Sequence, residues 1–120
     1  MMKIIHNPRC RKSRETLDLI ISNTNKVEII EYLKNPLTAK EIEDIVNLLK
    51  IEPEKLIRKN EVYYKEIMKG KKFNRDEILD ILSKQPKLIE RPIVFSKNKA
   101  IICRPPEKVL QFFNQESDHY

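Results

Sequence analysis

Cys10 stands in the run His6-Asn7-Pro8-Arg9-Cys10-Arg11-Lys12-Ser13-Arg14, and no other stretch of the chain gathers as much chemistry. The thiolate is the reactive form of cysteine, and cationic or helix-mouth surroundings lower a thiol pKa from about 8.5 toward roughly 3.5–7.5. Arg9, Arg11, Lys12 and Arg14 put four cationic side chains close to Cys10 in sequence. If a helix starts here as well, its unpaired N–H groups and its dipole favour negative charge. The same helix mouth can hold an anion. One location then offers a nucleophile and a cradle for an oxyanion. The spacing Cys10-x-x-Ser13 has serine where a redox pair would carry its second cysteine, so no resolving thiol lies one turn away. Ser13 can instead donate a hydrogen bond to a thiolate or to a bound oxyanion.

The elements that must position these residues follow from periodicity. Lys3 to Ile5 reads as a short strand, and His6 to Arg9 as the turn after it. A helix is expected from about Arg11 to Asn23, with Leu17, Ile20 and Ile21 on its apolar face. Val27 to Tyr32 reads as a second strand closed by Asn35-Pro36. Strand, helix and strand in this order make a βαβ unit with parallel strands. Thr38 and Glu41 have capping-box spacing and open a helix with Ile42, Ile45, Val46 and Leu49 inward. A short helix begins at Pro53. A weaker one runs from Val62 to Lys69 and stops at Gly70, the only glycine. Asn74 and Glu77 repeat the cap for a helix through Ser83, with Ile78, Ile81 and Leu82 inward, ended by Gln85-Pro86. Pro92 to Phe95 and Ala100 to Cys103 flank a Ser96–Lys99 turn and read as an antiparallel hairpin. Pro105 and Pro106 suit the first turn of a last helix carrying Val109, Leu110, Phe112 and Phe113. The tail Gln115 to Tyr120 is polar and expected to fray. The order β-α-β, helices, β-β-α predicts an α/β fold with a four-stranded mixed sheet. That is the thioredoxin-like topology, with a helical insertion at about residues 38–90 of a single domain spanning 1–120.

Bulk properties narrow the possibilities. The chain has 120 residues, 40% hydrophobic and 35% charged, a soluble globular balance with room for one modest core. A net charge of +6 suits an anionic partner, or simply a solvated lysine surface. Two cysteines are too few for a secreted disulfide scaffold. The first ten residues do not read as a signal peptide and no run reaches membrane-spanning length, so a cytoplasmic location is expected. A single glycine excludes the Gly-rich phosphate loops. Cys10, Cys103, His6 and His119 lack metal-ligand spacing, so no metal is expected. Lys65, Lys69, Lys71, Lys72 and Arg75 cluster, but without a recognition-helix pattern or aromatic interleaving they read as a solvated face and not as a nucleic-acid site.

Four motifs together resemble the ArsC family, the glutaredoxin-linked arsenate reductases within the wider Spx/ArsC thioredoxin-like group. They are His6-Asn7-Pro8-x-Cys10-x-x-Ser13-Arg14, Arg58-Lys59-Asn60, Glu90-Arg91-Pro92-Ile93-Val94 and Cys103-Arg104-Pro105-Pro106-Glu107. The resemblance covers the chain to about Phe113. It implies that Cys10 is the nucleophile, supported by His6 and Ser13, and that Arg58, Arg91 and Arg104 surround the oxyanion. It implies that Pro92 is a cis-proline facing the catalytic turn built by Asn7 and Pro8. It also implies arsenate or a similar oxyanion as substrate, glutathione as thiol co-substrate with no bound cofactor, and glutaredoxin as partner. A monomer without nucleic-acid or membrane partners is expected.

Other readings of the same residues stay open. Taken singly, each of the three arginines reads as a surface charge, Pro92 as an ordinary trans proline, and His6 as a partner for a backbone carbonyl. Cys103 reads as a structural cysteine in a strand. A relative of the family could serve as a general thiol oxidoreductase, since some arsenate reductases carry a longer C-terminal extension. An Spx-like regulator of RNA polymerase would carry Cys-x-x-Cys at the first turn, which Ser13 argues against. The phosphatase-like reductase loop needs arginine six positions after cysteine, where this chain has Thr16.

Overall fold

The computed structural model describes residues 2–117, with side chains to Phe113. Along the chain run β1 (Met2–Ile5), α1 (Arg11–Asn23), β2 (Val27–Ile30), α2 (Ala39–Leu49), α3 (Arg75–Lys84), β3 (Ile93–Phe95), β4 (Ala100–Ile102) and α4 (Leu110–Ser117). The chain divides into two compact units, Met1–Glu31 with Arg91–Tyr120, and Tyr32–Glu90.

The first unit holds the sheet, in strand order β2-β1-β3-β4. β1 and β2 are parallel, with Ile5 beside Ile30. β3 is antiparallel to β1 and to β4, with Val94 beside Ile4 and Ile101. This is the expected four-stranded mixed sheet of an α/β fold. Ile4, Ile20, Val94, Cys103, Val109 and Phe112 form a buried core that ties α1 and the α4 region to one sheet face. Ile5 and Ile93 are fully buried as well, so the central strands are apolar on successive residues rather than on alternate ones.

Several boundaries differ from the sequence expectation, each for a tertiary reason. β2 ends at Ile30 instead of Tyr32, because its parallel partner β1 ends at Ile5. The last bond there runs from the His6 N–H to the Ile30 carbonyl, at 2.9 Å. On α1 the buried residues are Ser13, Thr16 and Ile20, while Ile21 is 56% exposed. Thr16 is tolerated inside because its hydroxyl donates to the Lys12 carbonyl at 2.8 Å. Of the expected tail, Gln115 to Ser117 lie in α4, and residues 118–120 fall outside the described residues, His119 among them.

The second unit is helical. Both capping boxes form: Thr38 Oγ1 accepts from the Glu41 N–H at 3.1 Å, and Asn74 Oδ1 accepts from the Glu77 N–H at 2.8 Å. α2 buries Ile42, Ile45 and Val46 and packs on α3, which buries Ile78, Leu79 and Leu82. Leu49 and Ile81, expected inside, are only half-buried. The weak helix after Val62 becomes a π-helical turn, Tyr64–Met68, closed by the Lys69 N–H on the Tyr64 carbonyl at 2.8 Å. Gly70 follows at φ +81°, where a residue with a Cβ is disfavoured.

Candidate active site

The turn between β1 and α1 is built by the residues its sequence suggests. Pro8 fixes one dihedral of the turn. The Cys10 N–H donates to the Asn7 carbonyl at 2.9 Å, and the Asn7 side-chain oxygen accepts from the Arg9 N–H at 3.0 Å. Cys10 then takes the N-cap position of α1 in an extended conformation. An N-cap side chain faces the N–H groups of the second and third helical residues, here Lys12 and Ser13. The neutral thiol makes no cap hydrogen bond, but its surroundings favour the charged form.

Burial is the largest influence on the Cys10 thiol and acts to raise its pKa. It is outweighed by the Ser13 N–H, by the charge and hydrogen bond of the Arg91 guanidinium, and by the Lys12 N–H, so the pKa falls below the ordinary thiol value. The cations that do this differ from the sequence expectation. Arg9, Arg11, Lys12 and Arg14 have exposed side chains. Arg11 pairs with Glu15 at 2.9 Å, and Arg14 donates to the Pro8 carbonyl at 2.9 Å. Residues at the first turn of a helix point their long side chains into water, and only a residue from another element can reach across the helix mouth. Arg91, just ahead of β3, is that residue.

Ser13 and His6 are packed beneath the turn. Ser13 is fully buried, and its hydroxyl lies 2.7 Å from His6 Nδ1 while accepting from the Asn7 N–H at 3.1 Å. The hydroxyl read from sequence as a donor to the thiolate is thus engaged by His6 and Asn7. What reaches Cys10 from this residue is its backbone N–H. Burial lowers the His6 pKa, with Glu31 opposing and Arg14 adding to the shift, which favours the neutral ring at pH 7. Glu31 was not singled out by sequence. The parallel register that sets Ile5 beside Ile30 carries Glu31 alongside His6.

Arg104 Nε donates to the Arg91 carbonyl, which links two of the three candidate arginines within the first unit. Arg58 belongs to the second unit. It is half-buried, and its N–H donates to the Leu88 carbonyl at 2.7 Å beside the Ile57–Ile89 bridge. The Arg91–Pro92 peptide is cis, and so is Arg104–Pro105, which the sequence reading did not anticipate. The buried Pro92 accepts the Cys103 N–H at 2.9 Å. Cys103 lies in the apolar core, where burial pushes its thiol up to about 12. That is the opposite of an activated cysteine. Both cysteines are free thiols. Among the described residues no cluster of His, Cys, Asp and Glu is arranged to hold a metal ion.

A helix-mouth cysteine ahead of α1, an arginine and cis-proline pair ahead of β3, and a second arginine after β4 occur here in one four-stranded frame. The family model described as the ArsC family matches residues 5–112. The chain belongs to the ArsC family. It is 40% identical over 112 residues to the uncharacterized protein YfgD of Escherichia coli (strain K12), covering 92% of this chain and 94% of that protein. It is 38% identical over 109 residues to an arsenate reductase of Escherichia coli (strain K12), covering 90% of this chain and 77% of that protein. Among solved structures, an arsenate reductase from Vibrio cholerae superposes with a TM-score of 0.86 at 37% identity, over 92% of this chain and 95% of that one. The ArsC fold is thioredoxin-like, as the strand order β2-β1-β3-β4 requires.

Proposed function

We propose that this protein reduces arsenate to arsenite through an adduct on Cys10. The observation that carries the reading is the Cys10 sulfur at the α1 mouth, with the Lys12 and Ser13 N–H groups and the Arg91 guanidinium favouring its thiolate. The arsenate reductases of Escherichia coli and Vibrio cholerae, similar over nine-tenths of this chain, support arsenate as the substrate.

The thiolate attacks arsenic and displaces an oxygen as water or hydroxide, forming a sulfur–arsenic bond. Arg91 and Arg104 balance the charge on the oxyanion. Arginine suits this role because its planar fork stays charged and pairs with oxyanions through two donors. Glutathione thiolate then attacks the Cys10 sulfur. The sulfur–arsenic pair stays on arsenic, which leaves as arsenite, and Cys10 is left as a mixed disulfide. Glutaredoxin takes the glutathionyl group and returns the Cys10 thiolate. Serine at position 13 supports an external thiol, since no cysteine one turn on can resolve the adduct.

The family match crosses both units and supports one domain with a helical insertion at about residues 38–90. No helix among the described residues is long and apolar enough to cross a membrane; a cytoplasmic, monomeric enzyme is part of the proposal. The test is arsenate-dependent oxidation of glutathione, coupled through glutaredoxin. Cys10→Ser should lose turnover by about a thousandfold or more, as removal of a covalent nucleophile does. Equal turnover in the two proteins would remove the proposal. Thiol exchange by the wild type without any arsenate dependence would assign a general thiol oxidoreductase instead.

A further inference from the structure

A cavity with a volume of about 310 Å³ lies wholly within the helical unit. That is the lower end of the range for small-ligand sites. Its floor is apolar: Met68 and Ile78 are buried, and Ile57 is half-buried. Two half-buried aromatic rings, Tyr64 and Phe73, line its wall. Its rim carries the exposed side chains of Lys59, Lys71, Lys72 and Glu54.

Among the described residues, no carboxylate pairs with Lys59, Lys71 or Lys72, so their charge is open to an anion. Two further features set this cavity apart from a solvated lysine face. Lys59 Nζ stands 6.0 Å from the centroid of the Tyr64 ring, so cation and ring share one edge of the cavity. Tyr64 and Met68 belong to the π-helical turn Tyr64–Met68, a rare backbone form found frequently at functional sites.

We propose that this cavity binds a nucleoside phosphate. The unpaired lysines match the phosphates as point charges. Tyr64 and Phe73 offer faces for a base, a contact worth about 1–3 kcal/mol per base in nucleic-acid sites. Glu54 adds acceptor oxygens for ribose hydroxyls or an exocyclic amine. A bare inorganic anion would leave the rings and the apolar floor uncovered. The site lies outside the chemistry proposed for Cys10 and does not depend on it.

Calorimetric titration at about 0.15 M salt with ADP, adenosine and tripolyphosphate tests the proposal. ADP should bind saturably at one site. Adenosine and tripolyphosphate should each bind at least about fivefold more weakly, and the double variant Lys71→Ala/Lys72→Ala should lose about tenfold in affinity. Circular dichroism and the Cys10 alkylation rate should be unchanged in that variant, which separates lost binding from lost folding. Amide shifts on ADP addition should fall on residues 54–78. Absence of saturable ADP binding, binding of tripolyphosphate or adenosine as tight as ADP, or shifts confined to other residues would each overturn it.

Discussion

His6 has a pKa set by three competing influences, and each can be removed singly. Burial acts first and downward, Glu31 opposes it and Arg14 reinforces it. Glu31→Gln should therefore lower the His6 pKa further, and Arg14→Gln should raise it, both read from the ring-proton shifts across a pH titration. The linkage has a definite sign. A histidine whose folded pKa lies below its unfolded value of about 6.5 contributes stability that is present above that pH and is lost as pH falls. Resistance to urea should accordingly decline below about pH 6.5, and less steeply in Arg14→Gln. Movement of the His6 pKa in the reverse direction in either variant would contradict this account of the pair beneath the turn. None of this could be read from Glu31 alone. It acts on His6 only because the β1–β2 register sets the two side by side, and register is a property of two strands.

Elements were legible in the sequence wherever local chemistry decides them. Both capping boxes are written in four residues each, and both form with paired hydrogen bonds. Thr38→Ala should cost about 1 kcal/mol of stability, measurable as a lower urea midpoint at unchanged slope; no change would mean that packing on α3 alone holds α2. The helix at the Cys10 turn also started where expected, at Arg11. Elements set by distant partners were less legible. The strand Val27–Tyr32 was read two residues too long because β2 stops where β1 stops. Ile21 was placed inside although the buried stripe of α1 is Ser13, Thr16 and Ile20. Two polar residues there mimic a solvent face, and only their internal hydrogen bonds show otherwise. The π-helical turn had no local signal beyond Gly70 at its end.

At the scale of the whole molecule, one chain keeps two thiols in opposite states. Cys10 is stabilised as an anion by the α1 mouth and by Arg91, while burial in the apolar core pushes Cys103 up to about 12. The cysteine at the helix mouth was evident from spacing. The identity of its cation was not, since Arg91 lies 81 positions after Cys10 and four nearer basic residues point into solvent. Together with the helix mouth, this long-range pairing lowers the pKa of the Cys10 thiol below the ordinary value. The pH dependence of alkylation on the native protein measures it directly. The account predicts one fast thiol with a midpoint below the ordinary value of about 8.5, one thiol protected until the protein unfolds, and a higher midpoint for the fast thiol in Arg91→Ala. A fast thiol titrating at or above the ordinary value, or one indifferent to loss of Arg91, would contradict it.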